Sequence, residues 1–339
     1  MAQINKPSDY FNTKLYAGNS GTQSISGINF QPDFLWIKRR NIAGDHNLVD
    51  IIRTSDKTLI SNDTGTEYSN ATITSFDSDG FSLSGSDGAL NASGSNYVAW
   101  NWLASNTTAS NTDGSITSTV SANTTSGFSI VSYTGTGSNA TVGHGLGKTP
   151  DFIIIKTRDT AYNWVVWKNG FSTTERLLLD TTGAISTGEW NTLPTSSVFG
   201  LGTQLNINKS GDKFIAYCFA EKKGFSKFGS YTGNGDSDGT FIYTGFKPAY
   251  IFVKRTDGSG GWHIMDNKRD PINPLGNLLL AESSSGTNTV SSNRFDLLSN
   301  GFKCRDNSGG SNASGGTFIY MSFAENPLVG TNNIPATAR

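Results

Sequence analysis

The stretch "GDSDG", residues 235–239, has the Gly-x-Ser-x-Gly spacing of a serine nucleophile turn. In that chemistry a strained strand-to-helix turn presents the serine hydroxyl, here Ser237, to a histidine base. The flanks do not suit it, since "GSYTG" before and "TFIYTGF" after both read as strands. The three histidines, His46, His144 and His263, stand at non-equivalent places in the repeats described below. The same stretch, and "DSDG" from Asp77, offer the Asp-x-Asp-Gly opening of a calcium loop. Neither continues to the glutamate that closes such a loop, and neither has flanking helices. Both are read as tight hairpin turns, which Gly, Asp and Ser suit. No catalytic residue, metal ligand or cofactor is nominated.

Seven tryptophans raise a second kind of chemistry, stacking on sugars. Trp36, Trp100 and Trp102 sit in strand patterns and read as core. Trp164 and Trp262 each lie 14 residues after an equivalent proline and read as structural. Trp190, in "STGEWNTLP", lies in a loop-like context and is the candidate for an exposed ligand-binding ring. The two cysteines, Cys218 and Cys304, have no neighbouring Cys or His at metal-ligand spacing and read as reduced core thiols.

The elements that must position these residues come from a threefold internal repetition. "PDFLWIKRR" begins at Pro32, "PDFIIIKTRD" at Pro150 and "PAYIFVKRTD" at Pro248. Upstream lies Tyr-x-Gly, at Tyr16, Tyr133 and Tyr231; downstream lies Asn-x-Ser-Gly, at Asn91, Asn208 and Asn312. After each proline an apolar run such as Phe152–Ile155 reads as a strand buried on both faces. It closes on a repeated lysine, Lys38, Lys156 or Lys254, read as a snorkelling cation at a strand end. The last strand of each unit alternates, with Val98/Trp100/Trp102, Ile215/Tyr217/Phe219 and Ile319/Met321/Phe323 on one face. Small residues such as Ala99, Ala216, Cys218 and Ser322 lie between them, where a second layer approaches closely. Asn-x-Ser also matches a glycosylation acceptor, but its fixed place before the last strand reads as a turn.

The fold expected is all-β, with three tandem antiparallel β-sandwich (jelly-roll-like) repeats of roughly seven strands and essentially no helix. Residues 1–105 form repeat 1, the most divergent and a possible docking end. Residues 106–126 are a Ser/Thr/Asn-rich linker in which Ile116 and Val120 could add a strand. Residues 127–223 form repeat 2, 224–327 repeat 3, and 328–339 a C-terminal tail. Three separate units would expose about 18,000 Å², against about 13,000 Å² for one globule of this size. Packing between units or subunits would recover that difference, so an oligomer is expected.

Composition narrows the function. With 26 basic and 27 acidic residues the net charge is −1, which argues against nucleic acid as partner. "MAQINKPSDYF" lacks the apolar core of a secretory signal, and no apolar run suggests membrane insertion. The chain is expected to be made in a reducing cytoplasm.

The segments "STVSANTTSGFSIVSYTGTGSNATVGHGLGKTPDFIIIKTRD", "FIYTGFKPAYIFVKRTDGSGGWHIMDNKRDPINP" and "NASGGTFIYMSFAENPLVGTNNIPATAR" resemble a repeat family of bacteriophage virion proteins, notably of marine phages. The family often occurs in tail fibre or tail-associated proteins beside lectin-like modules. The resemblance covers about Ile116 to Arg339; the first unit has "GINFQP" in place of the Gly-Leu-Gly-x-x-Pro lead-in. It implies a non-enzymatic virion component, at the tail, that contacts other virion proteins and a host surface glycan or lipopolysaccharide. Phage fibres are commonly trimers, so a homotrimer is favoured. A capsid decoration or tail-connecting protein is the alternative, and a surface-polysaccharide depolymerase the third reading; the latter needs a carboxylate pair that the sequence does not nominate.

Overall fold

The computed structural model describes residues 2–188, 190–289 and 294–329. The C-terminal tail assigned to 328–339 therefore lies outside the described residues from 330 onward. The chain is all-β, with a 3₁₀ turn at Pro7–Asp9 and one helical turn at Leu205–Asn208 as its helical elements among the described residues.

Three larger antiparallel sheets share one strand order. In the first it runs Phe11–Ala17, Asn96–Trp102, Phe34–Arg39, His46–Asp50, Thr54–Ile60 and Tyr68–Ser69. The third repeats it with Ser226–Thr232, Thr317–Pro327, Phe246–Arg255, Trp262–Asp266, Asn277–Leu280 and Asn288–Thr289. The second has the same core order from Phe128–Thr134 through Lys213–Phe219, Phe152–Thr157, Val165–Lys168 and Glu175–Leu178 to Ser186–Thr187. Beyond its Phe128–Thr134 edge it gains two strands, Ser118–Asn123 and Ala109–Asn111. The stretch 106–126 is thus a correction to the linker expected there. Val120 is buried in the ladder and Ile116 bridges to Val142, so these backbone groups are paired rather than left to solvent.

Each larger sheet is covered on its outer face by a small one, built from Gln23–Ser26, Gly80–Leu83 and Ile73–Asp77 in the first unit. The sandwich core between them holds Ile25, Leu35, Ile37, Val49, Phe81, Tyr97 and Ala99. The third unit repeats this with Ile242, Ile251, Val253, Met265, Leu297 and Phe302. The inner faces of all three larger sheets meet in one central core. Phe34 stacks on Tyr217, Phe11 on Phe323, and Trp36 meets Phe252 edge-on, joining first to second and first to third sheet. The alternation of the last strand has this cause: Trp100, Tyr217 and Met321 point to the shared centre, while Ala99 and Ser322 face their own small sheet.

Exposed surface measures 11640 Å², near the single-globule value of about 13,000 Å² and far from three beads. The core that separate sandwiches would lack is supplied by the other two sheets of the same chain.

Candidate functional site

The repeated motifs lock each unit's first hairpin to the lead-in of its last strand. Tyr16, Tyr133 and Tyr231 donate their hydroxyls to the carbonyls of Leu90, Ile207 and Ser311 at 2.8, 2.7 and 2.6 Å. The next residue but one must be glycine. A Cβ on Gly18, Gly135 or Gly233 would sit 2.3 Å from the carbonyl oxygen of Ala92, Lys209 or Ala313. The asparagine before that carbonyl is fully buried in each unit. Asn91 Nδ2 donates to Gly21 O and Gly85 O, Asn208 Nδ2 to Ser138 O and Gly202 O, and Asn312 Nδ2 to Asp236 O and Asp306 O. An amide engaged in this way is a loop pin, not a glycan acceptor.

The pinned loop of the third unit is "GDSDG". Asp236 N donates to Asn234 Oδ1 at 3.1 Å and Asp238 N to Asp236 Oδ1 at 2.8 Å, two successive Asx turns. Asp238 pairs with Lys303, and the Ser237 hydroxyl reaches Asp236 Oδ1 at 3.5 Å. In "DSDG" at 77–80, Asp77 accepts from Ser75 and Ser82, and Asp79 from the amides of Gly27 and Asn29. Both acidic turns spend their carboxylates on the protein's own donors.

Trp190, expected as an exposed sugar platform, is buried at 4% exposure. Its indole nitrogen donates to Glu175 O at 3.0 Å, which ties the loop to the sheet edge. An amphipathic ring with one donor fits a loop that folds back onto a strand as well as one that points outward.

The three lysines correct the snorkelling expectation, for all are fully buried. Each reaches into the neighbouring unit. Lys38 Nζ donates to Ser284 O at 3.0 Å, Lys156 to Thr64 O at 3.0 Å and Lys254 to Thr182 O at 3.1 Å. Burial pulls all three ammonium groups down to about 8. The donation is cyclic: first sheet to third, second to first, third to second. One further side-chain triplet runs the same way. Trp164 Nε1 donates to Ile60 O and Trp262 Nε1 to Leu178 O, while His46 Nε2 meets Leu280 O at 3.0 Å. Trp36 Nε1 donates to His46 Nδ1, which leaves Nε2 as the protonated nitrogen. A backbone triplet answers in the reverse sense, with the amides of Glu67, Ile185 and Thr287 donating to Arg158 O, Thr256 O and Arg40 O.

Chemically the three seams are unlike. At the second–first seam Arg158 grips Glu67 with two 2.9 Å bonds, and Arg53 reaches Glu67 at 3.3 Å and Asp50 at 2.6 Å. Tyr217 from the second sheet donates to Asp50 at 2.8 Å. At the first–third seam Arg269 pairs with Asp266 at 2.6 Å, Trp100 Nε1 donates to the same carboxylate at 3.1 Å, and the guanidinium lies 5.5 Å over the Trp100 ring. At the third–second seam the corresponding residues are Lys168, Phe171 and Met321, with no ion pair among them, and Lys227 meets Glu221 at 2.9 Å where the two units join. A groove of about 420 Å³ opens there, lined by Lys168, Phe171, Ile185, Ser230, Thr256 and Thr317 among others. Sequence reading missed this contrast, although the signal is present. The residue 18 positions after each repeat proline is Asp50, Lys168 or Asp266, and the residue 14 after is His46, Trp164 or Trp262.

Residues 6–327 match the family described as a domain of unknown function, DUF7483. The chain belongs to that family. The match runs through all three sheets, so the DUF7483 unit takes in the whole three-sheet body, seams included. No curated protein matches the chain. The DUF7483 body brings together no metal-holding cluster of His, Cys, Asp or Glu among its described residues. Its buried histidines are held neutral: burial lowers His263 to about 3 and lowers His46 and His144 in the same direction. Both thiols are buried, and burial raises Cys304 to about 12.

Proposed function

We propose that this chain is a non-enzymatic component of a bacteriophage virion, placed at the tail, where it contacts the host surface. One observation carries the reading beside the sequence resemblance: unlike loops stand on identical pins. Residues 18–22, 135–139 and 233–239 read "GNSGT", "GTGSN" and "GNGDSDG", yet each is held by the same tyrosine, glycine and asparagine. A scaffold that fixes loop position while leaving loop chemistry free suits recognition, as binding residues concentrate on loops held by rigid elements.

Polarity of the body supports the same reading. Antiparallel pairing puts these three loops at one end of the sheets. Ala2, Lys223, Gly224, Pro327 and Val329 gather at the opposite end, where the second unit passes to the third. That end is the attachment side in this proposal, and the loop end faces the host. A homotrimer belongs to the proposal on the resemblance to phage fibres alone, since the sheets already cover one another within one chain.

Labelled chain should adsorb to cells sensitive to the phage that encodes it and protect them from infection. Absence of both at saturating concentration overturns the host-contact role. Antibody against the chain should decorate tails in electron micrographs of the virion, whereas label on the head assigns it to capsid decoration. Release of reducing ends from host polysaccharide would overturn the non-enzymatic reading.

A further inference from the structure

The third–second seam is built from the same strands as its two sisters but lacks their filling. At the second–first seam the space between the sheets holds Arg158, Glu67 and Arg53 as a continuous ion-paired string. The equivalent positions at the third–second seam are Thr256, Ile185 and Phe171. Thr256 is far shorter than arginine, and neither it nor the other two carries a charge. What the sister seam fills with a glutamate carboxylate between cations is here the groove of about 420 Å³.

Two charged residues line the groove, Glu175, which accepts from Ser172 N at 2.7 Å, and Lys168, whose sign is the reverse of its sister positions. Lys168 occupies the place of Asp50 and Asp266, paired with Phe152 as they are with Phe34 and Tyr250. Asp50 and Asp266 each accept from an aromatic donor of the adjoining sheet. The residue that would face Lys168 in that role, Met321, is a thioether with no donor to offer and only weak acceptor capacity. Lys168 is half-buried and its ammonium makes no hydrogen bond or ion pair among the described residues; burial lowers that ammonium, with Asp151 acting the other way. Ser230, Thr256, Thr317 and the apolar Phe171 line the same groove. Thr256 and Thr317 are bonded to each other at 2.7 Å, but a hydroxyl holds two lone pairs and one proton, so each retains capacity.

We propose that this groove binds a small carboxylate-bearing saccharide, its carboxylate on Lys168, its hydroxyls on Ser230, Thr256 and Thr317, and its C–H face on Phe171. The ligand carboxylate stands in for the glutamate that the sister seam provides from the chain itself. The volume lies in the lower part of the range of about 300–1,000 Å³ usual for small-molecule sites. The site does not rest on the phage reading, since it is argued from the two sister seams alone.

Titration calorimetry of the full chain with galacturonate, with galactose and inorganic phosphate as comparisons, tests it. Galacturonate should bind saturably and at least tenfold more tightly than either comparison. Lys168→Met should weaken it at least tenfold, and so should Thr256→Arg, which refills the groove as Arg158 does at the sister seam. Ser237→Ala should bind as the parent does. Thermal melts of each variant establish that it is folded. No saturable binding by the parent chain, equal binding of phosphate or galactose, or undiminished binding by both folded groove variants overturns the proposal.

Discussion

The second–first and third–second seams are built on the same strands with the same lysine, tryptophan and backbone contacts, yet one is closed by five polar residues and the other is open. Arg158, Glu67, Arg53, Asp50 and Tyr217 form an uninterrupted chain of bonds across the first. Thr256, Ile185, Phe171, Lys168 and Met321 replace them at the second. Two parts of an interface are thereby separated. The triplets of Lys, Trp or His, and backbone amide recur at every seam and hold the sheets together. The buried Arg–Asp pair recurs at two seams and is missing from the third, so closure of the ring does not require it.

The sharpest way to break the comparison is to remove one cation from the closed seam. Arg53→Met leaves Asp50 buried and uncompensated and should cost about 3–5 kcal/mol, measured by denaturant unfolding. A cost below about 1 kcal/mol would show that the string contributes nothing that the recurring contacts do not.

Acid probes the first–third seam, where His46 stands in the place that tryptophan holds at the other two. A folded-state pKa lowered by burial means that the unfolded chain takes up protons first as pH falls below about 6.5, so stability drops with acidification. His263, lowered to about 3, alone contributes a loss of about 2 kcal/mol by pH 5, and His46 and His144 act in the same direction. Asp33, raised to about 6 by burial, works against them, because the folded state binds its proton first between about 6 and 4. The net expectation is a loss of stability between pH 7 and pH 5, because the loss at His263 exceeds the gain of about 1 kcal/mol at Asp33 and the other two histidines add to it. Unfolding curves at the two pH values check it, and unchanged stability would contradict neutral burial of these rings.

A smaller effect is expected at the open seam. Lys168→Met removes a half-buried cation that anchors no contact in the chain, so stability should change by less than about 1 kcal/mol, in the stabilising direction if at all. A large loss would mean that this lysine is a structural member of the seam as Asp50 is. The smallest effect belongs to Ser237→Ala, within about 0.5 kcal/mol and without change in any hydrolytic assay. A loss of esterase activity in that variant would restore the nucleophile reading.

Much of the architecture could be read from residue order. The proline-led runs, the alternating last strands and the Tyr-x-Gly and Asn-x-Ser-Gly anchors are local patterns, and local patterns survive in a string of letters. Closure of the three sheets on each other is a different matter. The face bearing Trp100, Tyr217 and Met321 is apolar whether its cover is a sheet of the same chain or of another copy. The lysines were misread for the same reason: Lys156 ends an apolar strand, and the carbonyl of Thr64 that makes its burial tolerable lies 92 residues away. Trp190 looked free because nothing nearby in sequence offers it a partner, while Glu175 O waits across a hairpin.

Side-chain donation from each sheet to the next in one rotational direction, answered by backbone amides in the other, is a head-to-tail arrangement, the kind that closes when the rotation permits. Three identical subunits could build the same ring, but every junction would then be a copy of every other. A pocket at one would be a pocket at all, and a salt link at one would be a salt link at all. Joining the three members by peptide bonds removes that constraint. Each junction can accept substitutions without its sisters following, so a single chain can keep two junctions for cohesion and release the third for another use.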